Sequence, residues 1–200
     1  MQKKEKAMLR LKSIVIVLAG GFLCLAAVSW MARGEDTTNS NLVKRGEYLV
    51  NTSGCQDCHT PLKMGPNGPE PDMTHMLAGH PQELIMPPAP KMSPGPWMGS
   101  FAATETAWAG PWGVSFTRNL TPDKETGLGD WTEQNFVGGI RTGREMGKGR
   151  VILPPMPIAS IQNMTDEDIK AMFSYLQTIP AVKNKVPEPV APEAAPAGEK

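Results

Sequence analysis

The first pattern along the chain is a charge-free run. No residue from Ser13 to Ala32 carries a charge at neutral pH, and Lys3, Lys4, Lys6, Arg10 and Lys12 stand in front of the run. About 20 uncharged residues suffice to cross a bilayer core as a helix, and the basic flank keeps the amino end inside. Residues 1–33 are therefore predicted to be a signal peptide or an N-terminal membrane anchor. Ala27-Val28-Ser29 offers a small-residue cleavage site, whereas the length of the run and Trp30 near its outer end suit an anchor; both alternatives stay open. Residues 34–40 are polar and read as a tether.

Helical periodicity starts next. Ser40 or Asn41 can cap a first helix carrying Leu42, Val43, Tyr48, Leu49 and Val50, which ends before Gly54. A second is predicted over Thr132–Thr142, with Phe136, Val137 and Ile140 on one face and Gly143 as its stop. A third follows Thr165, whose side chain pairs in spacing with Asp168 as a capping box, and puts Ile169, Met172, Phe173 and Leu176 at i, i+3, i+4 and i+7. Between Lys63 and about Gly113 ten prolines rule out a long helix. Trp97, Phe101, Trp108 and Trp112 argue against disorder there, so an ordered excursion is expected, with a short hairpin between Phe101 and Phe116. The tail, residues 183–200, repeats Pro, Glu and Ala and is predicted to be disordered. The expected fold class is all-α: a small domain of three or more helices over 41–182, interrupted by a Pro/Met-rich insertion at 63–115.

Composition adds that 20 glycines and 20 prolines in 200 residues leave much of the chain irregular. From Asn41 onward about 14 basic residues face about 17 acidic ones. This mildly acidic balance gives no sign of nucleic-acid binding. Three cysteines, Cys24, Cys55 and Cys58, do not make a disulfide framework. Cys24 lies in the apolar run and has no lipoprotein-type leader around it.

The chemistry concentrates at Cys55-Gln56-Asp57-Cys58-His59. Cys-x-x-Cys-His is the pattern that attaches one c-type haem covalently, through two thioethers and a histidine ligand to iron. A second axial ligand must come from elsewhere. Among 13 methionines, Met156 in Leu153-Pro154-Pro155-Met156-Pro157 is the best candidate, because flanking prolines hold a weak thioether ligand in place; Met86 before Pro87 is the rival. Zinc on Cys55, Cys58, His75 and His80 has a near-suitable spacing, but Pro66, Pro69 and Pro71 would break a finger, and His59 and Met156 would be left unexplained. The methionines and histidines of the insertion would also suit Cu(I), though methionines filling irregular space explain them more simply. Arg141, Arg144, Lys148 and Arg150 form a basic cluster able to steer an acidic partner or to pair with haem propionates; a solvated loop would look the same.

Taken together, Arg45-Gly46-Glu47-Tyr48-Leu49-Val50, the Cys55–His59 run with Thr60-Pro61, Asn119-Leu120-Thr121-Pro122-Asp123, Gly127-Leu128-Gly129-Asp130-Trp131-Thr132, Ile140-Arg141-Thr142-Gly143, Pro155-Met156-Pro157 and Tyr175-Leu176 resemble the class I bacterial cytochromes c. The resemblance is particularly to haem modules in the cytochrome subunits of membrane-bound dehydrogenases. The resemblance implies a helical haem fold whose first and last helices cross near Gly46 and Tyr175. It also implies that Asn119, Thr121 and Trp131 border the haem propionates. The insertion departs from the family pattern and is expected to cover part of the haem.

The combined reading is an electron carrier, not itself an enzyme, with one haem c on Cys55 and Cys58 and with His59 and Met156 on the iron. It would work on the periplasmic side of the cytoplasmic membrane, anchored or soluble. Expected partners are a dehydrogenase, a quinol-oxidising complex or a terminal oxidase. A cytochrome subunit of a dehydrogenase or oxidase complex and a haem-based sensor are the alternatives.

Overall fold

A computed structural model describes residues 39–92 and 95–192. The predicted signal or anchor segment, most of the tether, Cys24 and residues 193–200 lie outside the described residues. Chain packing separates residues 1–41 from 42–200, and all the structure below lies in the second unit apart from the first helical residues. Among the described residues no helix is long and apolar enough to cross a membrane.

Three helices build the core. The first, α1, covers 39–52, followed by a short helix, α2, at Cys55–His59; α3 spans Glu133–Thr142. A single-turn helix, α4, at Ile158–Ile161 precedes α5, Asp166–Leu176. Of the predicted caps, Thr132 and Thr165 are present; Ser40 and Asn41 lie inside α1, which is already helical at residue 39, and the Asp168 carboxylate goes to Arg45, so the expected box at Thr165 is not closed. Thr132 accepts from the Asn135 amide while Asn135 returns a bond to the Thr132 amide, and Thr165 accepts from the Asp168 amide. These bonds satisfy donors that a helix start otherwise leaves open. Leu49 and Val50 of α1, Phe136 and Ile140 of α3, and Ile169, Met172, Phe173 and Leu176 of α5 are buried in one cluster. The Phe136 and Phe173 rings meet at 5.3 Å between centroids. Helices α1 and α5 cross where the first has no side chain: a Cβ at Gly46 would overlap the Ala171 carbonyl.

The all-α expectation is overturned. Two antiparallel sheets lie in the insertion: β1 (Leu62–Gly65) with β2 (Gly68–Pro71), and β3 (Ser100–Phe101), β4 (Ala107–Gly110) and β5 (Gly113–Phe116) in that order. The domain is mixed α and β. Prolines that forbid a helix do not forbid an edge strand. In the first hairpin Leu62 sits opposite Pro71, and its amide donates outward to the Thr104 carbonyl at 3.0 Å. That pair exchanges no ladder bond, so Pro71, and Pro69 two residues earlier, need not donate. The β4–β5 pair lies inside the region where a hairpin was expected.

The excursion also supplies core. Leu77, Ala78, His80 and Thr106 are fully buried. His80 donates from Nε2 to the Leu84 carbonyl at 2.9 Å and accepts at Nδ1 from the Thr106 hydroxyl at 2.9 Å. The first residues of the predicted disordered tail are ordered as well. Asn184 donates to the Ala78 and His80 carbonyls at 2.6 and 2.9 Å and accepts from the Gln82 amide, and Val190 bridges Val114. Apolar periodicity could not reveal this strap, because it is held by polar bonds of the Asn184 side chain and by the backbone bridge at Val190.

Candidate functional site

Gly54 starts the site. Its left-handed backbone (φ 73°) turns the chain sharply out of α1 and into α2. On a helical turn Cys55, Cys58 and His59, at i, i+3 and i+4, share a face. All three line one cavity of about 410 Å³, whereas Gln56 and Asp57 line a separate outer depression. Other stretches of wall come from α3, α5 and the methionine loop, with Phe136, Ile140, Met172, Leu153 and Met156. A hydroxyl of the inserted sheet fixes that loop: Ser115 Oγ donates to the Pro154 carbonyl at 2.6 Å.

His59 is buried, and its Nδ1 lies 2.7 Å from the Arg118 carbonyl. A carbonyl only accepts, so Nδ1 carries the proton and Nε2 of the neutral ring keeps its lone pair. Burial lowers the His59 pKa, which the bond to Arg118 partly opposes. Burial also pushes the Cys55 thiol up to about 11, and raises Cys58. No disulfide joins them. Protonated, half-buried thiols are unlike the low-pKa cysteines of redox motifs.

The other nominated residues divide. Trp131 is half-buried on the cavity wall, and Asn119 reaches the wall but is bonded internally. Its Nδ2 donates to the Val182 carbonyl at 2.8 Å, and its Oδ1 accepts from the Thr121 amide and hydroxyl. Thr121 is fully buried and is not part of the wall; these two hold the 119–126 turn against residues 182–184. In the basic cluster, Arg141 is committed to the Asp166 carboxylate and to the Gln162 and Met164 carbonyls. His80 has both ring nitrogens engaged, which leaves no atom for zinc or copper. Among the described residues no group of three or more His, Cys, Asp or Glu could hold a metal ion.

Of the polar groups on the cavity wall, sequence reasoning named Arg150, in the basic cluster, and missed Trp108, Arg118 and Glu145. Arg118 donates from Nε to Glu145 at 3.0 Å and from Nη2 to Glu188 at 3.0 Å; Arg150 Nη2 donates to Glu145 at 2.7 Å. Arg118, Glu145, Arg150 and Trp108 are all on the wall. Among the described residues, the buried Trp108 Nε1, Trp112 Nε1 and Arg150 Nε have no hydrogen-bond acceptor, each at a cost of about 1–3 kcal/mol. No signal in the sequence joins residues 108, 118 and 150, because the fold alone brings them together.

Does this cavity fit a haem c? Its volume lies within the range of cofactor pockets. Two thiols and an imidazole nitrogen with a free lone pair stand on one stretch of wall, a thioether belongs to another, and the lining between them is largely apolar. The donor set and shape fit a c-type haem.

Comparison with known proteins agrees. The chain is 31% identical over 153 residues to the gluconate 2-dehydrogenase cytochrome c subunit of Pantoea cypripedii, covering 76% of this chain and 26% of that protein. It is 28% identical over 167 residues to the cytochrome c subunit of the quinone alcohol dehydrogenase of Gluconobacter oxydans, covering 82% and 27%. To the fructose dehydrogenase cytochrome subunit of Gluconobacter japonicus it is 26% identical over 177 residues, covering 84% and 29%. No family model matches. The site and these similarities are consistent with a c-type cytochrome haem module. More particularly, it is similar to the modules in cytochrome subunits of membrane-bound dehydrogenases, and it spans about a quarter of the length of each of these relatives.

Proposed function

We propose that this protein carries single electrons through one haem c, attached to Cys55 and Cys58 and ligated by His59 and Met156. It would act as, or within, the cytochrome subunit of a dehydrogenase on the periplasmic side of the cytoplasmic membrane. The observation that carries this reading is that one cavity gathers the α2 face and the methionine loop, although about a hundred residues separate them in sequence. A bound haem supplies a one-electron ferrous–ferric change, and methionine ligation favours the ferrous form.

The residues of the chain have definable tasks in that role. The Arg118 carbonyl fixes the His59 tautomer and aims Nε2 into the cavity, as partners behind metal-ligating histidines commonly do. Ser115 holds the loop that carries Met156. Apolar side chains of α3 and α5 keep water from the cavity, which limits reorganisation when the charge changes. The basic residues Arg144 and Lys148 remain candidates for steering a partner; Arg141 does not, because its charge is matched by Asp166. Dehydrogenase relatives support a dehydrogenase as electron donor.

Mass spectrometry of the full chain, matured where haem attachment operates, tests the covalent part: one haem is expected, and none in Cys55→Ser/Cys58→Ser. Optical spectra test the ligands. The wild type should be six-coordinate and low-spin with the methionine–iron band in the ferric state, and Met156→Ala should lose that band and bind carbon monoxide rapidly when reduced. If Met86→Ala does this instead, Met156 is not the ligand.

A further inference from the structure

Resting on the haem reading above, we propose that the outer end of the C-terminal strap, Glu188-Pro189-Val190, positions the axial ligands. It braces from outside the one stretch of chain, residues 114–118, that supports both Met156 and His59. Val190 and Glu188 are positioning residues, which act through Val114 and Arg118.

Two supports of the site leave this short stretch. Ser115 Oγ holds the methionine loop through the Pro154 carbonyl at 2.6 Å, and the Arg118 carbonyl accepts from His59 Nδ1 at 2.7 Å. One edge of β5 is paired with β4, and the strap occupies the other. There the Val114 amide donates to the Val190 carbonyl at 2.8 Å, and the Val190 amide returns a bond to the Val114 carbonyl at 2.9 Å. The two backbones lie so close that a Cβ on Gly113 would overlap the Val190 carbonyl. At the far end of the stretch Glu188 accepts from Arg118 Nη2 at 3.0 Å, while Glu145 accepts from Nε of the same guanidinium at 3.0 Å. The strap has its own root in Asn184, which bonds the Ala78 and His80 carbonyls, so its outer end holds β5 from a fixed point. A ligand is only as well placed as the groups that support it. His59 follows the attachment cysteine Cys58 in the chain, whereas Met156 has no covalent neighbour on the haem. Loosening the strap should therefore release Met156 first.

In the haem-loaded full chain, Val190→Pro removes the amide that donates to Val114 without changing any charge. It should speed amide exchange at Val114, leave the far-ultraviolet dichroism intact, and raise the rate of carbon monoxide binding to the ferrous protein several-fold, as Met156 leaves the iron more often. Ser115→Ala should speed carbon monoxide binding in the same way while Val114 stays protected, because it cuts the link on the ligand side. Glu188→Gln should act in the direction of Val190→Pro but more weakly, since an exposed ion pair contributes little. The wild type gives a readout that needs no variant to fold: in rising denaturant the methionine–iron band should fade together with the exchange protection of Val114 and Val190, before α5 loses its own. Unchanged exchange at Val114 in Val190→Pro, faster exchange there with unchanged carbon monoxide binding, no effect of Ser115→Ala, or a band that survives until α5 unfolds would each overturn the proposal. A chain that never acquires haem, or a haem without the methionine band, would instead refute the reading on which it rests.

Discussion

At Gly46 a single hydrogen atom decides how closely two helices approach. A Cβ there would overlap the Ala171 carbonyl and come within 2.9 Å of Tyr175 Cβ. Because the obstacle is backbone, it cannot swing away. Gly46→Ala should cost about 3 kcal/mol and lower the Tm of the haem-loaded protein by roughly 10 °C; an unchanged melting curve would mean that the helices do not cross here. His80 decides by its protonation state. It is fully buried, and burial lowers its pKa from the ordinary 6.5, against the opposing pull of the Leu84 carbonyl. The unfolded chain takes up a proton below about pH 6.5 that the folded one refuses, so this group lowers stability as pH falls from that point toward the folded pKa. The slope is at most about 1.4 kcal/mol per pH unit. Denaturant midpoints measured between pH 7 and 5 should fall in the wild type and fall less in His80→Gln. Asp168, held low by its hydrogen bond to Arg45, acts in a separate window and loses its contribution only as pH drops below the usual carboxylate range.

Among the elements, the strap of residues 182–190 is held largely through one side chain. Asn184 alone satisfies Ala78 and His80 carbonyls and the Gln82 amide. Asn184→Ala would orphan these groups and should cost about 2–4 kcal/mol. Amide exchange should then accelerate around Gly79–Leu84 while α5 stays protected; uniform acceleration would show that the strap is not a local clamp. The strap also marks where sequence reading stopped. Helices α3 and α5 were legible because capping side chains and apolar spacing are local, as was the grouping of Cys55, Cys58 and His59. Of the sheets only a hairpin within Phe101–Phe116 was legible; the β1–β2 pair was not, because Pro69 and Pro71 exclude a helix but say nothing of the register that leaves both prolines at positions with no ladder bond to donate. Arg118, which orients His59 with its carbonyl, was invisible because any residue has that group.

At the scale of the whole described domain, helices and loops line the cavity, and β4 and β5 add Trp108, Ser115 and Phe116 to its wall. A space of about 410 Å³ left without a cofactor would correspond to at most about 10 kcal/mol of lost packing by the rule for buried cavities, and water entering the open side reduces that figure. Even half of it rivals the 5–15 kcal/mol by which domains are stable. The haem-free Cys55→Ser/Cys58→Ser chain is therefore expected to lose fixed packing among α1, α3 and α5. The hydrogen bonds of Asn184, His80 and Thr106 lie away from the cavity, so the inserted segment has its own reason to stay folded. Far-ultraviolet circular dichroism should keep part of its helical signal, near-ultraviolet dichroism from Trp131 and its neighbours should collapse, and a hydrophobic dye should bind, the signs of a compact state without specific packing. Protection from amide exchange should be lost first at Leu49, Phe136 and Phe173 and last at Leu77 and Thr106. A haem-free protein that instead melts cooperatively with native near-ultraviolet dichroism would mean that the helices close the cavity by themselves, and that the haem is carried by a finished fold without being part of its core.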